Sequence, residues 1–576
     1  MEAKDRVEEE DALLYRVQSS GSVESHEKQV DYELDGCADD DPAYESLTGA
    51  RRPKCLRFRV VLHKRAGSAS SLFTCFHTPR RRRSVYCRVL QLVLLAPYII
   101  FSAIVICGLF YPSYANPPLR YLELRNRVQK FGQRANDHNE KIYVAASLYD
   151  HEGEVVSGQW GQSVLHLINI LGPENVFLSI YENDPDPGAL AALDSFRTKI
   201  TCQSAIVTER LDLAELPHVS TPNGSQRLKR MQFLAHVRNR ALGPLEDENS
   251  PAYNTRFDKL LYLNDVVFDP IDAANLLLNT NIDERTGRAS YRATCAVDFI
   301  NPFKFYDTFA TRDLEGYDMG VPFYPWFTNA GKGESRKDVW HQKDAVRVKS
   351  CWGGMVAFDA KYFQTRLYSD SSAKELISNG NNILEPQTFR YDPHHDLRNS
   401  DSLAIPSPTS SPLRFRAETD TYWDASECCL IHADLSAMGD PLPPTDTGIY
   451  MNPYIRVAYS ANVLPWLTFT KRFERLYPII HSIANLIAGR PSYNPRQFQE
   501  PGDEVEDLVW TWSTESQALL RAGSSNDELK GDFQRIQRTA LPGGFCGMRK
   551  LFYINEHPSG GESKWMEDKL PIVGRR

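Results

Sequence analysis

Tyr262-Leu263-Asn264-Asp265-Val266-Val267-Phe268-Asp269 ends an apolar run, FDKLLYLNDVVFD (257–269), in carboxylates. Strands of this kind present acidic groups at the C-terminal edge of a parallel sheet, where open α/β folds take their ligands. A carboxylate there can hold a divalent cation such as Mn²⁺ against a diphosphate, since such cations accept carboxylate, water and histidine ligands. Asp265 interrupts the run before a helix cap is needed, so it is the candidate for both catalysis and metal binding, with Asn264 beside it. Asp269 precedes Pro270 and reads better as a helix cap.

Five other groups could join it. In SECCLIHADL (426–435), Glu427, His432 and Asp434 lie close together. Read as a strand over Cys428–Ala433, the segment puts Cys428, Leu430 and His432 on one face. His432 is then either a metal ligand or a structural donor in the core. In SCWGGMVAFD (350–359), Gly353 and Gly354 let backbone approach a ligand and Trp352 could stack on a sugar; a β-bulge beside a core tryptophan fits the same letters. In HVRNRALG (236–243), Arg238 or Arg240, with Asn239 between them, could neutralise phosphate, or the segment is a solvated helix end. Asp150, Glu182 and Asp184 close two further apolar runs and could read a guanine edge or a ribose hydroxyl, or be loop acids. Asp298 in CAVDF could touch a transferred sugar or an acceptor.

The elements that must position these residues alternate strand and helix. IYVAASLYD (142–150), NVFLSIYEND (175–184), SAIVTERL (204–211) and FDKLLYLNDVVFD are near-continuous apolar strands. Helices are expected over 159–171, 188–198, 226–242 and 271–280. This is the βαβ pattern of a parallel sheet with both faces covered. YRATCAVDFI (291–300) and SCWGGMVAFD read as later strands, and 329–338 and 400–412 as loops.

Residues 89–111, VLQLVLLAPYIIFSAIVICGLFY, hold no charge and exceed the roughly 20 residues that cross a hydrocarbon core. Arg80–Arg83 and Arg88 precede the run, and only Arg120 follows it within ten residues. The positive-inside rule therefore puts the N-terminus in the cytosol and the rest in a lumen. The expected order is a disordered cytosolic tail (1–85), a transmembrane signal anchor (89–111), a stem (112–140), a lumenal α/β domain (141–480) and a C-terminal extension (481–576) without an evident fold. A net charge of −8 argues against a nucleic-acid binder. The cysteines have no zinc-ligand spacing, and six follow the apolar run, where lumenal disulfides of unreadable pairing can form. Asn223-Gly224-Ser225 is a glycosylation sequon. An acid-edged α/β domain in a secretory lumen suggests a nucleotide-sugar-dependent glycosyltransferase.

KIYVAASLYDHE, SGQW, HVRNRAL, FDKLLYLNDVVF, ATCAVDF, SCWGGMVAFD, SECCLIHADL and IYMNPYIRVAYS follow one another across roughly 141–460. As a set they resemble the fungal α-1,3-mannosyltransferase family typified by the cryptococcal mannosyltransferase and its capsule-associated relatives. The resemblance implies a GT-A type Rossmann-like fold, GDP-mannose as donor, Mn²⁺ or another divalent cation, an α-linkage formed with retention, a mannose-containing acceptor glycan and a single-pass type II Golgi membrane protein. It places Asp265 at the metal-binding Asp-x-Asp position, here reduced to Asn264-Asp265-Val266, which puts more weight on His432. It places Glu427 where an acid faces the acceptor. A UDP-sugar-dependent xylosyl- or glucuronosyltransferase of the same fold, and a non-catalytic scaffold for polysaccharide assembly or export, are the alternatives.

Overall fold

A computed structural model describes residues 85–323, 326–364, 412–438, 442–443, 445–521, 529–556, 565–568 and 570–571. The expected N-terminal tail and nearly all of the 400–412 loop lie outside them. Helix α1 (Val85–Phe110) is the expected apolar helix. Within Gln91–Phe110 an 18-residue window has a mean hydropathy of 2.6 and is only 6% buried, so by length and composition the helix can cross a membrane. Helix α2 (Leu119–Phe131), in the expected stem, buries Tyr121, Leu124 and Val128.

The strands are β1 (Ile142–Leu148), β2 (Val176–Asn183), β3 (Gln203–Glu209), β4 (His218–Ser220), β5 (Gln226–Lys229), β6 (Lys259–Leu263), β7 (Ala293–Phe299), β8 (Arg312–Asp313), β9 (Val346–Ser350), β10 (Met355–Asp359), β11 (Asp424–Ala425), β12 (Ile449–Ala458), β13 (Glu504–Trp512), β14 (Gly531–Thr539), β15 (Gly547–Met548), β16 (Leu551–Ile554) and β17 (Trp565–Asp568). Nine form one mixed sheet in the order β3-β2-β1-β6-β10-β7-β12-β9-β8. β3, β2, β1 and β6 run parallel, as do β7 and β12, while β10 is antiparallel to both its neighbours. Alternate residues feed two cores. Tyr143, Ala145, Leu260 and Tyr262 pack on one face. Ile142, Val144, Leu261 and Leu263 pack on the other. That double burial is why these strands are apolar at every position rather than every second one.

Helices α3 (Gln159–Leu171) and α4 (Pro187–Arg197) carry the chain from β1 to β2 and from β2 to β3. The chain then returns through α5 (Arg230–Leu242) to β6, on the other side of β1. The strand order reverses between β1 and β6, the switch point beyond whose strand ends open α/β sheets carry their ligand crevice. α6 (Pro270–Asn279) follows β6, with Asp269 capping it by accepting from the Ile271 N–H at 2.8 Å.

Four expectations are corrected. The 226–242 segment is not one helix: Gln226–Lys229 pair with β4 and with β16, and the helix starts only at Arg230. SCWGGMVAFD is not one strand: the backbone breaks at Gly353 and Gly354, with φ of 58° and 64°, between β9 and β10. The 329–338 loop gives way to a helix over Glu334–Trp340. The Cys428–Ala433 strand is a helix, α7 (Glu427–Met438), buried from Glu427 to Leu435. A helix enclosed on every side has no apolar stripe, so its sequence carries no helical period. The C-terminal extension, left without a fold, pairs β13 with β14, β15 with β11, and β16 with β5. A Cys429–Cys546 disulfide fastens it to α7, and a second disulfide joins Cys295 to Cys351.

Candidate functional site

β6 ends at Leu263, and Asn264 and Asp265 follow at the crevice. Asn264 is held from every side. Its N–H donates to the Gly354 carbonyl at 2.9 Å and its carbonyl accepts from the Trp160 indole at 2.9 Å. Its Oδ1 accepts from Arg238 at 3.1 Å and from the Trp352 indole at 3.2 Å. The neighbouring Asp265 is thereby fixed in place yet only half-buried.

The ends of β1 and β2 bring two acids to the same edge. Asp150 is buried and accepts from the N–H groups of Val155 and Val156 at 2.8 and 2.9 Å, capping the helical turn over Glu154–Ser157. Glu182 is fully buried; its Oε1 accepts from the Asp150 N–H at 2.7 Å and its Oε2 has no hydrogen-bond partner among the described residues. Burial pushes the Glu182 carboxyl up to about 8 against that hydrogen bond, and the nearby charges of Asp150, Asp186 and Asp265 add to the shift. Asp184, after β2, accepts from the Asn183 side-chain amide at 2.7 Å and from the Leu211 N–H at 3.3 Å.

A second acidic group lies under the ends of β7 and β12. Asp298 is fully buried; it accepts from the Asp307 N–H at 3.1 Å and from the Tyr459 hydroxyl at 3.2 Å. Asp307 accepts in turn from the Gly353 N–H at 3.2 Å. Burial raises Asp298 well above the usual carboxylate range, and Asp307 beside it raises it further. Glu427, at the start of α7, accepts from Arg238 Nε at 3.0 Å.

Arg238 therefore links the parts of the site. Its guanidinium lies 4.4 Å from the centre of the Trp352 ring, bonded to Asn264 on one side and Glu427 on the other. Its charge is already paired. Trp352 is buried between Arg238, Tyr262 and Phe415, which is a packing position rather than a platform open to a sugar. At Gly353 a Cβ would strike the Ala296 carbonyl, and at Gly354 it would lie 2.6 Å from Val266. The glycine pair is required by these contacts, with backbone at Gly353 and with a buried side chain at Gly354, and by the left-handed φ of both residues. Asn239 clamps Phe415, donating to its carbonyl and accepting from its N–H, both at 2.8 Å. Arg240 pairs with Glu209.

His432 is not at this edge. It sits fully buried on α7, its Nδ1 2.8 Å from the Cys428 carbonyl and its ring against Phe358. Phe358 pairs with Leu260, five residues before Asp265, which is about 16 Å back along the strand at ~3.3 Å per residue. Burial pushes the imidazole down to about 4, so it is neutral. Its other neighbour is Cys295, whose sulfur is tied up in the bridge to Cys351 and offers no thiolate. Of its two readings, the structural donor fits this position. Asp434, from the same segment, binds Arg416 through both oxygens at 2.8 and 3.0 Å. Sequence reasoning missed Trp160, Asp307 and Tyr459. Trp160 and Tyr459 were visible only as aromatic letters in apolar runs, and Asp307 lies outside any strand.

The match to the cryptococcal mannosyltransferase 1 family spans residues 141–434, just over half of the chain and all of the site from Asp150 to His432. The chain belongs to this family. A search of the curated proteins finds no match. Among solved structures, the chain is similar to a mannosyltransferase from Pyrobaculum calidifontis in complex with GDP-Man and Mn²⁺. The identity is 10%, with 69% of this chain and 87% of that one covered at a TM-score of 0.27. It is also similar to residues 1–349 of S. aureus TarS, at 10% identity, with 55% and 60% covered and a TM-score of 0.24. At these scores the superpositions set no residue correspondence, and the family match carries the relationship.

Proposed function

We propose that this member of the family is a GT-A type, metal-assisted glycosyltransferase that moves mannose from GDP-mannose to a mannose-containing glycan in α-1,3 linkage, with retention at the anomeric carbon. The observation that carries this is Asp265, half-exposed at the switch point between β1 and β6, near a buried Glu182 whose Oε2 bonds nothing among the described residues. Those acids suit a hard divalent cation with oxygen ligands. Asp265 would hold it, without His432. When bound, the cation offsets the charge that develops on departing GDP.

The chain's own residues set the rest. Asn264, pinned by Arg238, Trp352, Trp160 and Gly354, fixes where Asp265 stands. Glu427 is occupied by Arg238, and Asp298 by Tyr459 and the Asp307 backbone, so neither is a free nucleophile. This favours attack on the face that the leaving group vacates. The acceptor oxygen bonds to the anomeric carbon as its bond to the β-phosphate breaks, and the hydroxyl proton passes to that phosphate.

We place the domain in the Golgi lumen behind a single type II anchor. Supporting this are the basic residues before α1, two disulfides of a kind that persist in oxidising compartments, and an exposed Asn223 in its sequon. The test is a donor screen with the full chain in detergent, with and without Mn²⁺, using GDP-mannose, UDP-xylose and UDP-glucuronate. Metal-dependent transfer from GDP-mannose alone is expected; transfer from a UDP-sugar, or no donor used, would overturn the reading.

A further inference from the structure

Of the two helices that follow the main sheet, one exposes large apolar residues and the other is amphipathic in the wrong sense for a water-soluble surface. α8 (Leu464–Thr470) and α9 (Tyr477–Ile487) are joined by a turn over Lys471–Leu476. On α9 the polar residues face inward. His481 is fully buried, its Nε2 3.0 Å from the Val321 carbonyl. Asn485, one turn later, accepts from the Val321 N–H at 2.8 Å and donates to His481 at 3.0 Å. The opposite face carries Ile479, Ile483, Leu486 and Ile487, the last two 83% and 81% exposed. α8 adds Trp466 and Phe469, 59% and 55% exposed. A water-facing helix normally buries its apolar stripe and exposes its polar one, and a contiguous apolar patch of this kind marks an interaction surface.

Two observations say what covers it. First, the patch is continuous with the apolar helix α1. The α8–α9 turn packs on the C-terminal end of that helix, with Phe473 against Gly108 and Arg472 donating to the Gly108 carbonyl at 3.3 Å. The same turn is fixed to the main sheet: Glu474 accepts from both terminal nitrogens of Arg456 in β12, at 2.6 and 2.9 Å. Second, Lys471, Arg472 and Arg475 lie between the two apolar stretches. Basic residues at that level reach the headgroup phosphates that any phospholipid leaflet carries, and aromatic residues such as Trp466 and Tyr477 suit the interfacial belt.

We propose that α8 and α9 lie in the plane of the phospholipid interface beside the exit of α1, holding the crevice-bearing domain against the bilayer in a fixed orientation. The surface fits a lipid leaflet, as interfacial helices do. This rests on α1 spanning a membrane, and the test separates the two claims. The photoreactive residue benzoylphenylalanine replaces Ile483, Leu486, Phe101 or Leu190, one at a time, in the full chain in phospholipid nanodiscs. Phe101 reports on the span, and Leu190, an exposed residue on α4, is the remote control. After irradiation, phospholipid adducts are read by mass spectrometry. Adducts at Ile483, Leu486 and Phe101, with none above background at Leu190, are expected. Adducts at Phe101 but not at Ile483 or Leu486 would overturn the docking and leave the span standing. Peptide adducts to a second copy at Ile483 or Leu486 would assign the patch to self-association instead. Lipid adducts at none of the four would remove both claims.

Discussion

Arg238 and Glu427 form a buried ion pair, Nε to Oε1 at 3.0 Å, that ties the last turns of α5 to the first residue of α7. Because the same guanidinium also bonds Asn264, the pair couples the rear of the site to the residue before Asp265. Removing one partner of a buried pair leaves the other charge without compensation and typically costs about 3–5 kcal/mol. Arg238→Ala and Glu427→Gln should therefore both lower the midpoint of chemical denaturation. Arg238→Lys should recover only part of the loss, because an ammonium cannot serve both Glu427 and Asn264 in a fixed fork. A lysine variant with wild-type stability and activity would show that the fork is dispensable.

Asp265 has a different profile. It is half-exposed at the strand end, so Asp265→Ala should lower stability, read from the denaturation midpoint, by no more than about 1 kcal/mol, less than breaking the buried Arg238–Glu427 pair. Turnover should be lost, and Mn²⁺-dependent GDP binding by calorimetry should fall with it. Retained metal-dependent binding in the alanine variant would move the cation site elsewhere.

The acid-ended strand and the parallel half of the sheet were legible because burial on both faces writes itself as unbroken apolar runs: Ile142–Leu148, Val176–Asn183 and Lys259–Leu263 were each located within a few residues. What was not legible depends on contacts distant in sequence. Lys229 ends a strand because Tyr553, far along the chain, pairs with it. The glycine pair reads equally as ligand approach or tight packing until Ala296 and Val266 are placed beside it. His432 reads equally as a ligand or a core donor if its segment is a strand; on the enclosed helix it is buried in the core.

That revision is itself testable. His432→Ala should cost roughly 1–3 kcal/mol, in the range for losing buried packing and a hydrogen bond, measured by thermal or chemical denaturation. The Mn²⁺ dependence of GDP binding should be unchanged. A variant that is stable but needs far more Mn²⁺ would restore His432 as a ligand.

The Cys429–Cys546 bridge holds the C-terminal strands to α7 across 117 residues of chain. Cross-linking a loop of that size constrains the unfolded chain by about 4–5 kcal/mol on the chain-entropy account. Cys546→Ser should lower stability by an amount of that order and loosen β16 from β5, seen as faster amide exchange at Leu228 and Lys229. Identical exchange in the serine variant would mean that packing alone holds the extension.

Glu182 should make stability pH-dependent in a direction opposite to an ordinary paired carboxylate. Its folded-state value, about 8, lies above that of an unfolded glutamate near 4.5, so the folded chain retains a proton that the unfolded chain has released. Its contribution is complete below about pH 4.5 and declines as pH rises toward 8, with a slope approaching 1.4 kcal/mol per pH unit. Glu182→Gln should flatten that decline in denaturation midpoints measured from pH 5 to 8. A divalent cation at Asp265 would favour the ionised form, so Mn²⁺ binding at pH 7 should release protons, detectable by calorimetry in buffers of different ionisation enthalpy. Glu182→Gln should abolish the release while Asp265 still binds. Equal proton release in wild type and variant would place the titrating group elsewhere than Glu182.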